Sequence, residues 1–252
     1  MLNREALSET FDQQNFPTFL CPTCSVGTLA CDTNSIVEVE PEYSRLAQQD
    51  DSWEPDWITK RFSAHLVCNR AKCGEVSLMI GDLPMVEYLD SEFGWGLQEV
   101  YAPKAIFPTP LLFPMPNDTP RDVKEVLRES FSTYWQDKNS SMNKVRIAIE
   151  LILDDRGIPQ KKKTKSGKKV DMKLHERIED FEKKLPEPAK SLMAAKMVGN
   201  IGSHNDQEIG KDIVLDVYDL LLSCINSLYG GLNQDLKKSR DMLIQSKGVK
   251  NR

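Results

Sequence analysis

Cys21-Pro22-Thr23-Cys24 and Cys68-Asn69-Arg70-Ala71-Lys72-Cys73-Gly74 decide the fold of the first part of this chain. Each is a pair of cysteines on a short loop, and Pro22 and Gly74 suit tight knuckle turns. Zinc takes four tetrahedral ligands, and two such loops supply two each. The spacing predicts a zinc ribbon whose insert is the β-like segment between the pairs, with Cys21, Cys24, Cys68 and Cys73 holding a structural zinc. Four thiolates leave no open coordination position, so the metal folds the module and does no chemistry. Cys31 and His65 are the competing ligands. Otherwise Cys31 reads as a half-buried hydrophobe and His65 as a strand residue facing solvent. Cys224 lies in an apolar helical face and reads as core.

Working outward, residues 17–100 hold five of the six cysteines, three of the four tryptophans and several short β-like runs. Six of the 14 prolines fall in residues 101–120, which predicts a stiff, extended connector. From Pro120 the pattern is helical. The expected class is α+β: a β-rich zinc-ribbon module over residues 1–100, a proline-rich connector over 101–119, and an all-α bundle over 120–252.

The helices can be parsed from their signals. Thr119 and Pro120 read as the start of the first, with Val123, Val126, Leu127, Phe131, Tyr134 and Trp135 at helical spacing. Ser140 or Ser141 is the expected cap of the second, which carries Met142, Val145, Ile149 and Ile152 and ends near Gly157. A third runs from about Met172 to Leu185, a fourth from Ala189 to about Ile201, and a fifth from about Gln207 to Tyr229. Four or five helices with short connections make a bundle.

The chain has 252 residues and a net charge of −5, with 40% hydrophobic residues. Collagen-like, mucin-like and fully disordered classes are excluded. The sum hides an asymmetry. Residues 1–155 carry 13 basic and 25 acidic side chains, a net of −12, and the remainder carries +7. Eight basic residues and one acid lie between Arg156 and Lys173, and six of the eight are Lys161, Lys162, Lys163, Lys165, Lys168 and Lys169. The segment reads either as a solvated surface loop or as an arm contacting the phosphates of nucleic acid. It has no aromatics, so base stacking is not expected there. No stretch has the roughly 20 apolar residues of a membrane span, and Met1 to Phe16 lacks the apolar core of a signal peptide. A cytoplasmic protein with reduced thiols and no membrane partner is expected.

Lys196-Met-Val-Gly199-Asn200-Ile-Gly202-Ser203-His204 interrupts an otherwise ordinary helix with two glycines and a histidine. Lys196, Asn200 and His204 recur every four residues, on one helical stripe. Arg146 and Glu150 are also four apart, either as an ordinary surface pair or as a buried pair orienting His204. His204 is the best candidate for acid–base work near neutral pH. Its alternative role is to cap a helix end.

The proline run from Pro103 through Pro114 and Pro120, then Arg146-x-x-x-Glu150, then Gly199-Asn200-x-x-x-His204, resembles domain-of-unknown-function family 4145. The resemblance covers about residues 100–230. It implies a HEPN-like helical bundle, often preceded by a zinc ribbon, in proteins found with restriction and other anti-phage defence systems. The wider superfamily includes metal-independent ribonucleases that act as homodimers. Their motif is an arginine, often followed by asparagine, and a histidine a few residues later. Asn200 and His204 match that motif, but Gly199 stands where the arginine belongs, and glycine cannot stabilise a pentacoordinate phosphate. Lys196 and Arg146 are the substitute cations, although a lysine lacks the bidentate fork. Three readings follow. One is a non-catalytic RNA- or nucleotide-binding protein of a defence system, expected to dimerise. Another is a ribonuclease using His204, with Asn200, Arg146, Glu150 and Lys196 around it. The third is an adaptor that binds a defence partner through its acidic, tryptophan-bearing segment Asp50–Trp57.

Overall fold

The computed structural model describes residues 2–90, 94–204, 209–231 and 242. Its first part is an antiparallel sheet of β1 (Phe19–Leu20), β2 (Thr28–Val39), β3 (Lys60–Cys68), β4 (Val76–Leu83) and β7 (Ala102–Phe107), in the order β1-β2-β3-β4-β7. A short helix α1 (Glu42–Ala47) and a 3₁₀ turn (Pro55–Trp57) lie between β2 and β3, and β5 (Met85–Asp90) pairs with β6 (Gly94–Glu99). Strand periodicity of two sets the inner face. Phe62, Ala64, Leu66 and Cys68 of β3 and Met79 and Leu83 of β4 are buried, while His65, Val67, Val76, Leu78 and Ile80 alternate with them and are exposed.

Among the described residues five helices follow: α2 (Arg121–Tyr134), α3 (Lys138–Asp155), α4 (Leu174–Glu182), α5 (Pro186–His204) and α6 (Lys211–Tyr229). The apolar positions read from the sequence point inward: Val123, Leu127 and Phe131 of α2, Met142, Val145, Ile149 and Ile152 of α3, and Ile178 and Phe181 of α4 are buried. The mixed α+β class therefore holds. Three of the buried hydroxyls meet among these helices. Ser130 and Ser141 Oγ lie 2.8 and 2.6 Å from Tyr218 Oη and 3.1 Å from each other, so α2, α3 and α6 share one closed polar network.

The sheet and the helices share a continuous core. Trp135 stands edge-on to Phe19, with ring centroids 5.8 Å apart. The N-terminal segment is fastened to the helices: Tyr134 donates its hydroxyl to the Leu7 carbonyl, and Arg4 binds Asp216 at 2.6 Å and Asp219 at 2.7 Å.

The proline-rich stretch differs from a free connector. Residues 102–107 are strand β7, paired with β4 from Leu78↔Phe107 to Asp82↔Ala102. β7 is an edge strand, where a proline such as Pro103 removes no ladder bond on the outer side. Leu111, Leu112 and Phe113 are then buried, and the Phe113 ring packs on Phe131 at 4.9 Å. Composition pointed to stiffness, whereas three consecutive apolar residues anchor the chain. Helix starts also shift. Asp137, not Ser140 or Ser141, caps α3, accepting from the Ser140 N–H at 3.0 Å, and Pro120 holds the N-cap position of α2. The lysine segment is a hairpin, β8 (Lys161–Lys163) and β9 (Lys169–Asp171).

Candidate metal centre and basic hairpin

Two turns of the sheet build the cysteine cluster. Cys21 follows β1, and Cys68 closes β3. The β2–β3 register sets Leu29 opposite Cys68, which brings both knuckles to one end of the sheet. In the first knuckle the Cys21 N–H donates to the Gly27 carbonyl at 2.8 Å, and Ser25 takes a positive φ of 54°. In the second, the N–H groups of Cys73 and Gly74 donate to the Arg70 carbonyl, with Gly74 at φ 58°. Asn69 fastens one to the other: its N–H donates to the Thr28 carbonyl, and its Oδ1 accepts from the Thr28 N–H, both at 3.0 Å. Thr23 also hydrogen-bonds Glu75 across the gap.

The result is four sulfurs within 4.8 Å of one another. Cys21 and Cys73 Sγ are 3.7 Å apart, and Cys24 and Cys68 Sγ are 3.9 Å apart. A tetrahedron with metal–sulfur bonds of about 2.3 Å has sulfur–sulfur edges of about 3.8 Å. A disulfide needs about 2.05 Å, so these distances describe free thiols arranged as ligands. Burial pushes the Cys21 thiol up to about 12. The N–H groups of Val26 and Gly27 draw Cys24 down to about 6, and the Gly27 N–H lies 3.1 Å from its sulfur. Gly27 is also a steric requirement, because a Cβ there would sit 2.6 Å from Cys68 Sγ. Gly27, Ser25 and Asn69 are supporting residues that the cysteine spacing did not reveal. A glycine three residues past a C-x-x-C was the available signal.

The competing ligands lie elsewhere. Cys31 pairs with Leu66 inside the β2–β3 ladder, and His65 is an exposed residue of β3. Cys224 is buried in α6, where burial pushes its thiol up to about 12.

The helical candidates are placed less closely together. Arg146 Nε lies 3.8 Å from Glu150 Oε1, and both side chains are about one-third or more exposed, so this is a surface pair along α3 and not a buried one. Gly199 of α5 packs onto α3: a Cβ there would meet the Met142 carbonyl oxygen at 3.1 Å and Arg146 Cβ at 3.5 Å. The glycine thus lets the two helices approach closely at the position where the resemblance implies an arginine. Lys196 and Asn200 are half-buried on α5, and among the described residues neither bonds to Arg146 or Glu150. His204 is the last residue of α5, and its side chain falls outside the described residues.

The basic hairpin is exposed along both strands. Lys161 pairs with Asp171 at 3.5 Å and Lys162 with Glu176 at 2.6 Å. Lys163 stands directly opposite Lys169, and Lys165 and Lys168 lie in the turn. Among the described residues these last four form no ion pair.

Two family models match parts of the chain. Residues 9–107 match the family model described as Domain of unknown function (DUF8608), and residues 128–247 match Domain of unknown function (DUF4145). No curated protein and no solved structure matches the chain. The match to DUF8608 spans the four clustered cysteines, and the match to DUF4145 spans the lysine hairpin and Gly199.

Proposed function

We propose that this protein binds RNA or a nucleotide without cleaving it, as a HEPN-like member of an anti-phage defence system. In this reading the cysteine cluster is a zinc-ribbon site that holds the β module, and the chain works as a dimer. The carrying observation is the hairpin. Like charges opposite each other on a two-stranded ladder are destabilising, and Lys163 faces Lys169 with Lys165 and Lys168 beside them. A run of phosphates relieves that repulsion and releases counterions. The hairpin offers charge without aromatic platforms, so it contacts backbone and not bases.

Cleavage is not part of the proposal. Stabilising the charge of a phosphorane is the largest requirement of such chemistry, and an arginine at position 199 would press its Cβ to 3.1 Å from the Met142 carbonyl oxygen. The four cysteines would hold zinc as thiolates, and the ion would supply folding free energy and no reactive position. The reading is tested by incubating the full chain with labelled single-stranded RNA in chelator. A shifted, intact RNA is expected. Shortened RNA that survives with wild type and is lost in His204→Ala would replace this reading with a ribonuclease. RNA neither shifted nor shortened at low salt would remove nucleic acid altogether.

A further inference from the structure

β4 and β7 continue beyond the sheet as a two-stranded arm. β3 accompanies β4 as far as Leu83, and only Pro84 separates β4 from β5. β5 and β6 then pair from Met85↔Glu99 to Asp90↔Gly94. Glu87 and Leu89 share one face with Leu97 and Trp95, Leu89 lying directly opposite Trp95. Trp95 is 74% exposed, Leu89 66% and Leu97 41%. On the reverse face the Tyr88 ring, itself 40% exposed, lies over Gly96, 2.8 Å from where a Cβ would be. The 3₁₀ turn Pro55–Trp57 packs against β5 and adds half-exposed Trp57.

Among the described residues, the arm and its adjoining turn carry Glu54, Asp56, Glu87 and Glu99; Lys60 takes Glu99, and the other three have no ion pair, so the free charge beside the apolar face is acidic. A cross-strand Trp–Leu pair left bare is an interface anchor. The surrounding field repels phosphates and favours cationic partners. We propose that the β5–β6 arm docks a basic polypeptide segment bearing apolar side chains, which sit on Leu89, Trp95 and Leu97 while its cations meet Glu87 and the acidic turn. Among the described residues β5 and β6 pair only with each other, so an extended segment also finds main-chain groups at the arm's edges. This surface is separate from the lysine hairpin and does not depend on RNA binding.

The test uses the full chain and two labelled synthetic peptides, one alternating lysine and valine and one alternating glutamate and valine, read by fluorescence anisotropy. The lysine–valine peptide is expected to bind and the glutamate–valine peptide not to bind. Trp95→Ala and Leu89→Ala should each weaken binding at least tenfold, with far-UV circular dichroism and metal content unchanged. Glu87→Lys, which leaves the apolar face intact, should weaken the lysine–valine peptide and admit the glutamate–valine peptide. Equal binding of the two peptides, wild-type binding by Trp95→Ala, or no binding at low salt would overturn the proposal. So would a dimer lost in Trp95→Ala with no peptide binding, which would assign the arm to a second copy of the chain.

Discussion

Gly27→Ala probes the cysteine cluster without touching a ligand. The new Cβ would lie 2.6 Å from Cys68 Sγ, and the Arg70 side chain blocks it at 2.9 Å on another side. To reach an ordinary contact of about 3.4 Å the sulfur must retreat by about 0.8 Å, whereas a metal site tolerates roughly 0.2 Å in its bond lengths. The hydrogen bond from the Gly27 N–H to Cys24 Sγ would distort in the same movement. Supporting groups of this kind typically govern about 10- to 100-fold in metal affinity, so a loss in that range is expected. Overpacking of about 1–3 kcal/mol should also appear in the unfolding free energy. The assay is competition for zinc against a chromophoric chelator, with denaturant unfolding of the loaded protein alongside. Gly74→Ala is the control. Its φ of 58° makes it costly for alanine, yet nothing lies within 4 Å of the added carbon. It should lose about 1–2 kcal/mol of stability while its zinc affinity stays close to wild type. Equal zinc affinity in Gly27→Ala and wild type would refute the placement of Cys68 beside Gly27.

Zinc loading of the apo-protein at pH 7 should release at least two protons, from Cys21 and Cys68, whose thiols are both raised, whereas Cys24 is drawn below neutrality. Calorimetry in buffers of different ionisation enthalpy checks this, and the metal should be lost as pH falls, because protons compete for the ligands. Tyr218→Phe should cost about 1–2 kcal/mol by denaturant unfolding, because Ser130 and Ser141 keep each other as partners and lose only the shared hydroxyl. Gly199→Arg should destabilise the helices without creating ribonuclease activity, since its first atom already presses on the Met142 carbonyl. A stable Gly199→Arg variant that degrades RNA would show that packing is not what excludes the arginine.

The helical stripes and the cysteine cluster were legible because both follow from spacing. Residues three and four apart share a face, and paired thiols on tight loops select a tetrahedral centre. The β7 strand was hidden because Pro103 and Pro108 outweigh the apolar residues between them in any local reading. Only the pairing with β4 shows that this is an edge, where proline is tolerated. Asp137 was missed as a cap because Ser140 and Ser141 are equally good capping residues, and Ser141 is instead consumed by the buried hydroxyl network. Gly199 read as a lost catalytic arginine in one dimension. Its second meaning, a close crossing of α5 on α3, needs the partner helix. The acidic, tryptophan-bearing segment Asp50–Trp57 stood out for composition, but the more exposed anchors Leu89 and Trp95 become a pair only through the β5–β6 register.

The most direct test is the salt dependence of binding to single-stranded RNA, compared between wild type and a variant with Lys163, Lys165, Lys168 and Lys169 replaced by glutamine. Each phosphate contact on a single strand contributes about −0.7 to the slope of log K against log salt. Four contacts predict that the variant's slope is shallower by about 3. Parallel slopes for the two proteins would contradict the account, because they would place the RNA away from the hairpin.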